Sequence, residues 1–151
     1  MKKYGVLILI IIITVIVLII NNRKEVQEIF PVTSCYTLEE GGVYALSFTT
    51  TGNKVTGNLS LLPFEKDSKT GSITGTVTDG IATLVWDVLA EGMRNTESLS
   101  ILISPEEARI GFGEMVLQEG AHYVYKNPSE ISYTLVLPKS TCSDIQKEKS
   151  S

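Results

Sequence analysis

Two different hydrophobic patterns divide the chain. From Gly5 to Ile20 apolar residues are almost continuous, with one hydroxyl and no charge, whereas further along they recur at every second position. With Tyr4 the first run is 17 residues long, about 26 Å as a helix, which is the short end of a bilayer span. Alternation with period two is typical of strands that bury one face. The chain therefore predicts one membrane segment followed by an all-β domain.

Six runs show the alternation clearly, and weaker strands are predicted at 109–117 and 121–126. The positions that share one face within each run are Tyr44, Leu46 and Phe48; Val55, Gly57, Leu59 and Leu61; Ile73, Gly75 and Val77; Ala82, Leu84, Trp86 and Val88; Leu99, Ile101 and Ile103; and Ile131, Tyr133, Leu135 and Leu137. Outside the first run, only 104–109, with Pro105 at a suitable first position, suggests a helical turn.

Short turns join these runs. Asp79-Gly80 is the clearest, because a two-residue hairpin needs positive φ at both central positions. Six to eight antiparallel strands joined in this way predict a meander that closes, or nearly closes, into a small barrel, since closure removes exposed strand edges. A two-sheet sandwich is the alternative.

The residues on either side of the apolar run indicate whether it is cleaved and how it is oriented in the membrane. Lys2 and Lys3 precede it, and Asn21-Asn22-Arg23-Lys24 follows without the small residues that a signal peptidase requires. We therefore expect an uncleaved signal anchor over 1–22, a cleaved signal being the alternative. Basic residues are equal on the two flanks, and the free amino group favours a cytoplasmic N-terminus. This predicts a single-pass protein of the cell membrane with an extracytoplasmic domain.

The two cysteines, Cys35 and Cys142, lie at the two edges of the alternating region. Neither belongs to a C-x-x-C pair, so a zinc ribbon or a thioredoxin-like site has no support. We expect them to form a disulfide that joins the ends of a domain over 35–142, two unpaired thiols being the alternative. A polar tether over 23–34 and a disordered polar tail over 143–151 complete the predicted organisation.

Charge and composition exclude several function classes. The whole chain has 43% hydrophobic residues, a mean hydropathy of +0.16 and a net charge of −4. From residue 26 onward it has 16 acidic and 9 basic residues, which argues against a nucleic-acid partner. The expected partners are the cytoplasmic membrane, through residues 4–20, and an envelope protein or a small apolar ligand.

Catalytic motifs are absent from the sequence. The single histidine, His122, has no second histidine to share a metal, so we interpret it as a satisfied or solvent-facing strand residue. No cofactor, metal or enzymatic activity is predicted. One alternative is an envelope hydrolase that uses Glu91 with Asp67 or Glu114, because glycosidases require two converging carboxylates. Another is a structural subunit of a membrane complex.

The domain resembles a group of uncharacterised bacterial envelope proteins, many of them lipoproteins. The resemblance covers residues 35–142 and is carried by Cys35-Tyr36, the V-x-G-x-L strand 55–59, the E-K-D turn 65–67, the G-x-I-x-G strand 71–75, the Glu91-Gly92 pair and the closing Cys142. These are strand and turn signatures. The resemblance implies an envelope location and a β-rich domain, and it brings no known activity.

A binding site on such a barrel is expected either at its loops or in its interior. The loop residues that we predict to bind are Glu65, Lys66, Asp67, Lys69 and Glu91. Small barrels can hold an apolar ligand when their inward residues are small. Gly57 and Gly75 would permit this, whereas large inward residues would instead fill the interior as a plain core; these are Tyr44, Phe48, Trp86 and Tyr133.

Overall fold

A computed structural model describes residues 30–65, 67–120 and 122–143. They form one short 3-10 helix, Pro128–Glu130, and ten strands. The strands are β1 Val32–Leu38, β2 Gly42–Thr51, β3 Lys54–Pro63, β4 Lys69–Thr78, β5 Ile81–Ala90, β6 Met93–Ile103, β7 Glu107–Phe112, β8 Met115–Gln118, β9 His122–Tyr125 and β10 Ser132–Ser140.

The predicted anchor over 1–22 lies outside the described residues. The same holds for the tether up to residue 29 and for the tail beyond residue 143. Within the described part of the chain, no helix is long and apolar enough to cross a membrane.

Eight strands close into an antiparallel barrel, which confirms the predicted barrel over the sandwich. Strands β1 to β7 pair in sequence order, and β10 pairs with both β7 and β1 to complete the circle. Strands β8 and β9 form a hairpin attached to the edge of β6. The weak run predicted at 109–117 is thus divided between a barrel strand and this hairpin.

The β4–β5 turn confirms the predicted hairpin. Asp79 and Gly80 have φ values of 51° and 78°, as a type I′ turn requires. Glu91 and Gly92, with φ values of 48° and 80°, connect β5 to β6 in the same way.

Two boundaries differ from the sequence prediction. Strand β1 begins at Val32, three residues before the predicted domain boundary. The helical turn predicted at 104–109 is wrong, since β7 begins at Glu107. The Ser104 hydroxyl does accept a bond from the Glu107 amide, as a helix cap would. However, the Ser104 amide also donates to the Glu107 carbonyl at 2.9 Å, which closes a tight hairpin instead.

The two ends of the barrel differ. The terminal end carries the start of β1, the end of β10 and the tight turns after β2, β4 and β6. The distal end carries the connections 39–41, 64–68 and 91–92, and the long segment 113–131 that contains the β8–β9 hairpin. Chain entry and exit therefore lie opposite the longest loops.

The predicted disulfide is confirmed at the terminal end. Cys35 and Cys142 are bonded with their Cα atoms 5.2 Å apart, and they are separated by 107 residues in sequence. Cys35 is buried on β1, and Cys142 follows the end of β10. The bond thus joins the first and last strands of the barrel where they meet.

Large side chains fill the barrel from the terminal end through its middle. The Tyr36 and Phe48 rings stack there with centroids 6.0 Å apart, and the Tyr36 hydroxyl donates to the Ser104 carbonyl. The other large side chains with no more than 1% exposure are Leu46, Val55, Leu59, Ile73, Val88, Ile101, Ile110 and Leu137. These side chains form a packed core through the middle of the barrel.

The inward glycines serve strand curvature rather than ligand space. A Cβ on Gly57 would collide with the Ser47 carbonyl oxygen, and one on Gly75 would collide with the Thr83 carbonyl oxygen. Each collision is with the backbone of the neighbouring strand, so these glycines allow the close approach that a tightly coiled barrel wall needs. The space expected beside Gly57 and Gly75 is taken up by backbone.

Candidate ligand cavity at the distal end

The pairing of β6 with β7 ends part-way along the barrel wall, and the Tyr125 side chain lies where it ends. Their ladder ends at the pair Ile101–Ile110, so Ser100 and Gly111 are next in register. The Tyr125 hydroxyl lies between them: it accepts from the Ser100 amide at 3.2 Å and donates to the Gly111 carbonyl at 2.9 Å. One side-chain hydroxyl thus serves both strands where the ladder stops.

The β8–β9 hairpin occupies the resulting gap. β9 runs parallel to the first half of β6, with Thr96 opposite His122 and Glu97 opposite Tyr123. On the other side, β7 stays with β10 through a bulge in which Tyr133 and Thr134 oppose a single residue. Bulges bend strands at barrel rims, and this one lies at the level where the β6–β7 ladder ends.

A cavity of about 480 Å³ opens where the wall divides. This size is within the range of about 300 to 1,000 Å³ that small-molecule sites occupy. Its walls are mainly apolar, and the lining residues are Tyr44, Leu61, Pro63, Asp67, Lys69, Trp86, Glu97, Ser98, Leu99, Ile110, Gly111, Phe112, Gly113, Met115, Tyr125 and Leu135. The middle of the barrel is packed, the distal end holds this cavity, and a smaller, more open groove of about 300 Å³ lies at the terminal end beside Tyr36, Phe48 and Lys139.

An ion pair crosses the cavity wall. The Lys69 ammonium on β4 lies 2.7 Å and 3.0 Å from the two carboxylate oxygens of Glu97 on β6. The Glu97 side chain is only 16% exposed, and that of Lys69 is 38% exposed. A carboxylate at such a depth requires a partner. Lys69 supplies that partner while keeping access to solvent.

Trp86 adds an aromatic surface beside this pair. It lies directly across from Glu97 in the β5–β6 register, and the Lys69 ammonium is 5.9 Å from the centroid of its ring. The indole nitrogen is buried and has no hydrogen-bond partner among the described residues. The floor of the cavity thus combines one cation and one anion with an aromatic surface and apolar walls.

Burial changes the chemistry of the Tyr125 hydroxyl. Desolvation raises its pKa above the ordinary tyrosine value, and the bond from the Ser100 amide opposes part of this rise. The hydroxyl is therefore protonated at neutral pH and can keep donating to the Gly111 carbonyl.

His122 makes two hydrogen bonds on the β6–β9 interface, as a satisfied strand histidine should. Its Nδ1 lies 2.9 Å from the Thr96 hydroxyl, and its Nε2 lies 3.3 Å from the Ser98 hydroxyl. Both hydroxyls belong to β6. His122 therefore helps to hold the hairpin in the gap.

The four predicted loop residues that the structure describes are at the distal end, but only some reach the cavity. Asp67 and Lys69 line it. Glu65 is exposed in the loop before β4, and Glu91 is exposed in the β5–β6 turn; neither is part of the lining. Lys66 lies outside the described residues.

Sequence reasoning missed Glu97, Trp86 and Tyr125 as site residues. The two members of the ion pair nevertheless have a signal in the sequence. Glu97 has the same parity as Leu99 and Ile101, which face inward on β6, and Lys69 has the same parity as Ile73 on β4. A charge at an inward strand position requires an inward partner of opposite sign. The strand pattern alone therefore makes Lys69 and Glu97 candidates for a pair.

Glu91 occupies a turn position whose backbone conformation is unfavourable for a residue with a side chain. At its φ of 48°, a residue with a Cβ pays about 1 to 2 kcal/mol, and asparagine tolerates the region better. We expect Glu91→Asn to raise the free energy of unfolding by up to about 1 kcal/mol, measured by urea denaturation. Glu119→Asn is the matched control, because Glu119 also precedes a turn glycine but lacks a positive φ. Equal effects of the two substitutions would contradict this account.

Comparisons with protein families, with curated proteins and with solved structures find no match to this chain. No group of three or more metal-binding side chains occurs among residues 30–65, 67–120 and 122–143. What the protein does has to follow from the residues of the cavity.

Proposed function

We propose that this protein is a membrane-anchored, extracytoplasmic binding module of the bacterial cell envelope, and that the distal cavity binds a small ligand with an apolar body. The observation that carries the proposal is the cavity itself. It is hollow, mainly apolar, and has a few polar groups at one place, the combination typical of small-molecule sites.

The position of the chain ends supports this arrangement. The predicted anchor precedes β1, which starts at the terminal end, whereas the cavity opens at the distal end. An anchored barrel would present its cavity away from the membrane surface. The disulfide supports an oxidising compartment, since such bonds persist mainly outside the cytoplasm.

Binding is favoured over hydrolysis by the placement of the carboxylates. The hydrolase alternative needs Glu91 in a cleft beside a second carboxylate. Glu91 is exposed in a turn and does not line the cavity. The carboxylate that does reach the interior, Glu97, is held by Lys69. The proposal therefore assigns no catalytic role to the cavity.

A structural subunit would be supported by a continuous apolar patch on one barrel face. The outer face of β5 exposes Ile81, Val85 and Leu89. Thr83 and Asp87 are exposed between them on the same face, so the apolar surface is interrupted. The cavity is the better candidate site.

A neutral apolar dye tests the proposed function. N-phenyl-1-naphthylamine, which emits more strongly away from water, is expected to bind the full-length protein in detergent saturably and at one site, after the emission from protein-free micelles of the same detergent is subtracted. Leu61 is buried and lines the cavity, so Leu61→Trp should weaken dye binding by filling space. Excitation at wavelengths that tryptophan does not absorb keeps the new indole out of the signal.

Leu62→Trp is the matched control, since Leu62 is the next residue on β3, does not line the cavity and has the opposite orientation. It should bind the dye like the unsubstituted protein. Far-UV circular dichroism checks that both variants fold. Absence of saturable binding, or equal binding by both variants, would overturn the proposed function.

A further inference from the structure

We infer that the cavity selects a cationic amphiphile, a ligand with an ammonium group on an apolar body, and that Lys69 is a resident cation that such a ligand displaces from Glu97. This inference rests on the proposed function and adds the charge of the ligand to it. It is carried by the lining charges, the charge around the opening, the aromatic walls and the geometry of the ion pair.

The charged residues of the lining are mostly acidic. Asp67 and Glu97 are carboxylates, and Lys69 is the one basic residue among the described residues of the lining. The Lys69 ammonium is already bonded to both oxygens of Glu97. An anionic ligand would bring another negative group to a site that already has more carboxylates than cations.

The segments around the opening strengthen this bias. The distal connections 39–41, 64–68, 91–92 and 113–131 contain eight carboxylates and two lysines. One of these lysines, Lys126, is bonded to a carboxylate of the same segment, Glu114, at 2.8 Å. A cleft surrounded by one sign of charge raises the local concentration of ligands of the opposite sign. The distal end therefore attracts cations and repels anions.

The aromatic walls suit a cation with an apolar body. Tyr44, Trp86, Phe112 and Tyr125 all line the cavity. Aromatic faces attract ammonium groups, tryptophan most strongly, and they also pack against apolar groups. The Lys69 ammonium already lies on the Trp86 side of the cavity, where the displacing cation would bind.

If a ligand ammonium replaces the Lys69 ammonium, the buried Glu97 carboxylate stays paired throughout. Glu97 is the more buried member of the pair, and Lys69 is the more exposed one. Lysine has a flexible four-carbon stem, and its ammonium can turn outward to water and to Asp67 at the rim. A ligand ammonium then takes its place on Glu97. At no stage is the carboxylate left buried alone, which would cost much more than the exchange.

Three ligands of one shape test the sign of the charge. 1-Naphthylmethylamine is cationic, 1-naphthylmethanol is neutral and 1-naphthoate is anionic at pH 7. Isothermal calorimetry on the full-length protein measures each affinity directly. We expect the amine to bind about tenfold more tightly than the carboxylate. The ratio of these two affinities should decrease when the salt concentration is raised from about 0.05 M to about 0.5 M.

Two substitutions separate the roles of the ion pair. Glu97→Gln is expected to weaken binding of the amine about tenfold and to leave the alcohol unchanged. Lys69→Met should strengthen binding of the amine, because the resident competitor is gone. Arg109→Met and Glu107→Gln are matched controls, since they alter an ion pair on β7 that lies outside both the cavity lining and the distal connections. They should not change the ratio of the affinity for the amine to the affinity for the carboxylate. Thermal melting confirms that each variant folds.

The outcomes distinguish the two proposals. Tightest binding of the carboxylate, with loss in Lys69→Met, would overturn the inference and make Lys69 an anion receptor. Equal affinities for all three ligands would also overturn it, while the proposed function would stand. Binding of none of them, nor of the neutral dye, would overturn both proposals.

Discussion

Reduction of the Cys35–Cys142 bond is expected to lower the free energy of unfolding by about 4 to 5 kcal/mol. The bond closes a loop of 107 residues, which includes nearly the whole barrel, so cutting it gives the unfolded chain much greater freedom. Typical domains have a total stability of only about 5 to 15 kcal/mol. Reduction should therefore remove between about a third and nearly all of that stability.

The loss should appear first at the seam between β1 and β10. These strands are in register only at Cys35–Ser140 and Tyr36–Lys139, so the disulfide reinforces a short ladder. Urea denaturation with and without reductant measures the total effect, and hydrogen exchange locates it. A double variant, Cys35→Ala with Cys142→Ala, is the control for the reductant. An effect below about 1 kcal/mol would contradict the assigned role.

Removal of the Tyr125 hydroxyl is the second large effect that we expect. Tyr125→Phe leaves the Ser100 amide and the Gly111 carbonyl without their shared partner. Unsatisfied buried polar groups cost about 1 to 3 kcal/mol, so the free energy of unfolding should fall by that amount. Tyr123→Phe is the matched control. Tyr123 lies on the same strand, and its hydroxyl has no hydrogen bond within the part of the chain that the structure describes.

The Tyr125→Phe substitution should also change how stability depends on pH under alkaline conditions. Because burial raises the folded-state pKa of Tyr125 above the unfolded value of about 10, its contribution to stability is complete below pH 10. It is lost as the pH rises through the folded pKa. Tyr125→Phe should reduce the loss of stability above pH 10 relative to the unsubstituted protein. Burial also raises the pKa of Tyr36, which accounts for part of the loss in every variant. Identical pH profiles would contradict this role of Tyr125.

Local pattern predicts most of the barrel. Alternation places Tyr44 and Leu84 on inward faces, and turn chemistry fixes the Asp79-Gly80 hairpin, because both depend on neighbours in sequence. Strand β1 escapes this prediction, since its threonines and serine mask the alternation of Tyr36 and Leu38. Where the prediction succeeds, the structure is determined by residues that are only a few positions apart in sequence.

The hollow end cannot be predicted in this way. It depends on β9 lying parallel to β6 and on the Tyr125 hydroxyl lying between Ser100 and Gly111. These residues are more than ten positions apart in sequence, and no local period says which strands meet. Asp67 and Lys69 are predicted because they flank a turn, and inward parity makes Glu97 a candidate partner of Lys69. That this pair lines a cavity depends on where the hairpin lies.

The hairpin in the wall also determines how the protein behaves toward copies of itself. Closure removes the edges of the eight barrel strands, but β8 is the last strand of the sheet and, among the described residues, pairs only with β9. Its exposed residues include Val116 and Leu117. Such an edge can template pairing with another chain. Glu114 and Glu119 stand on either side of β8, and charges that flank an apolar strand oppose aggregation. Neutralising these two glutamates would therefore promote aggregation through β8.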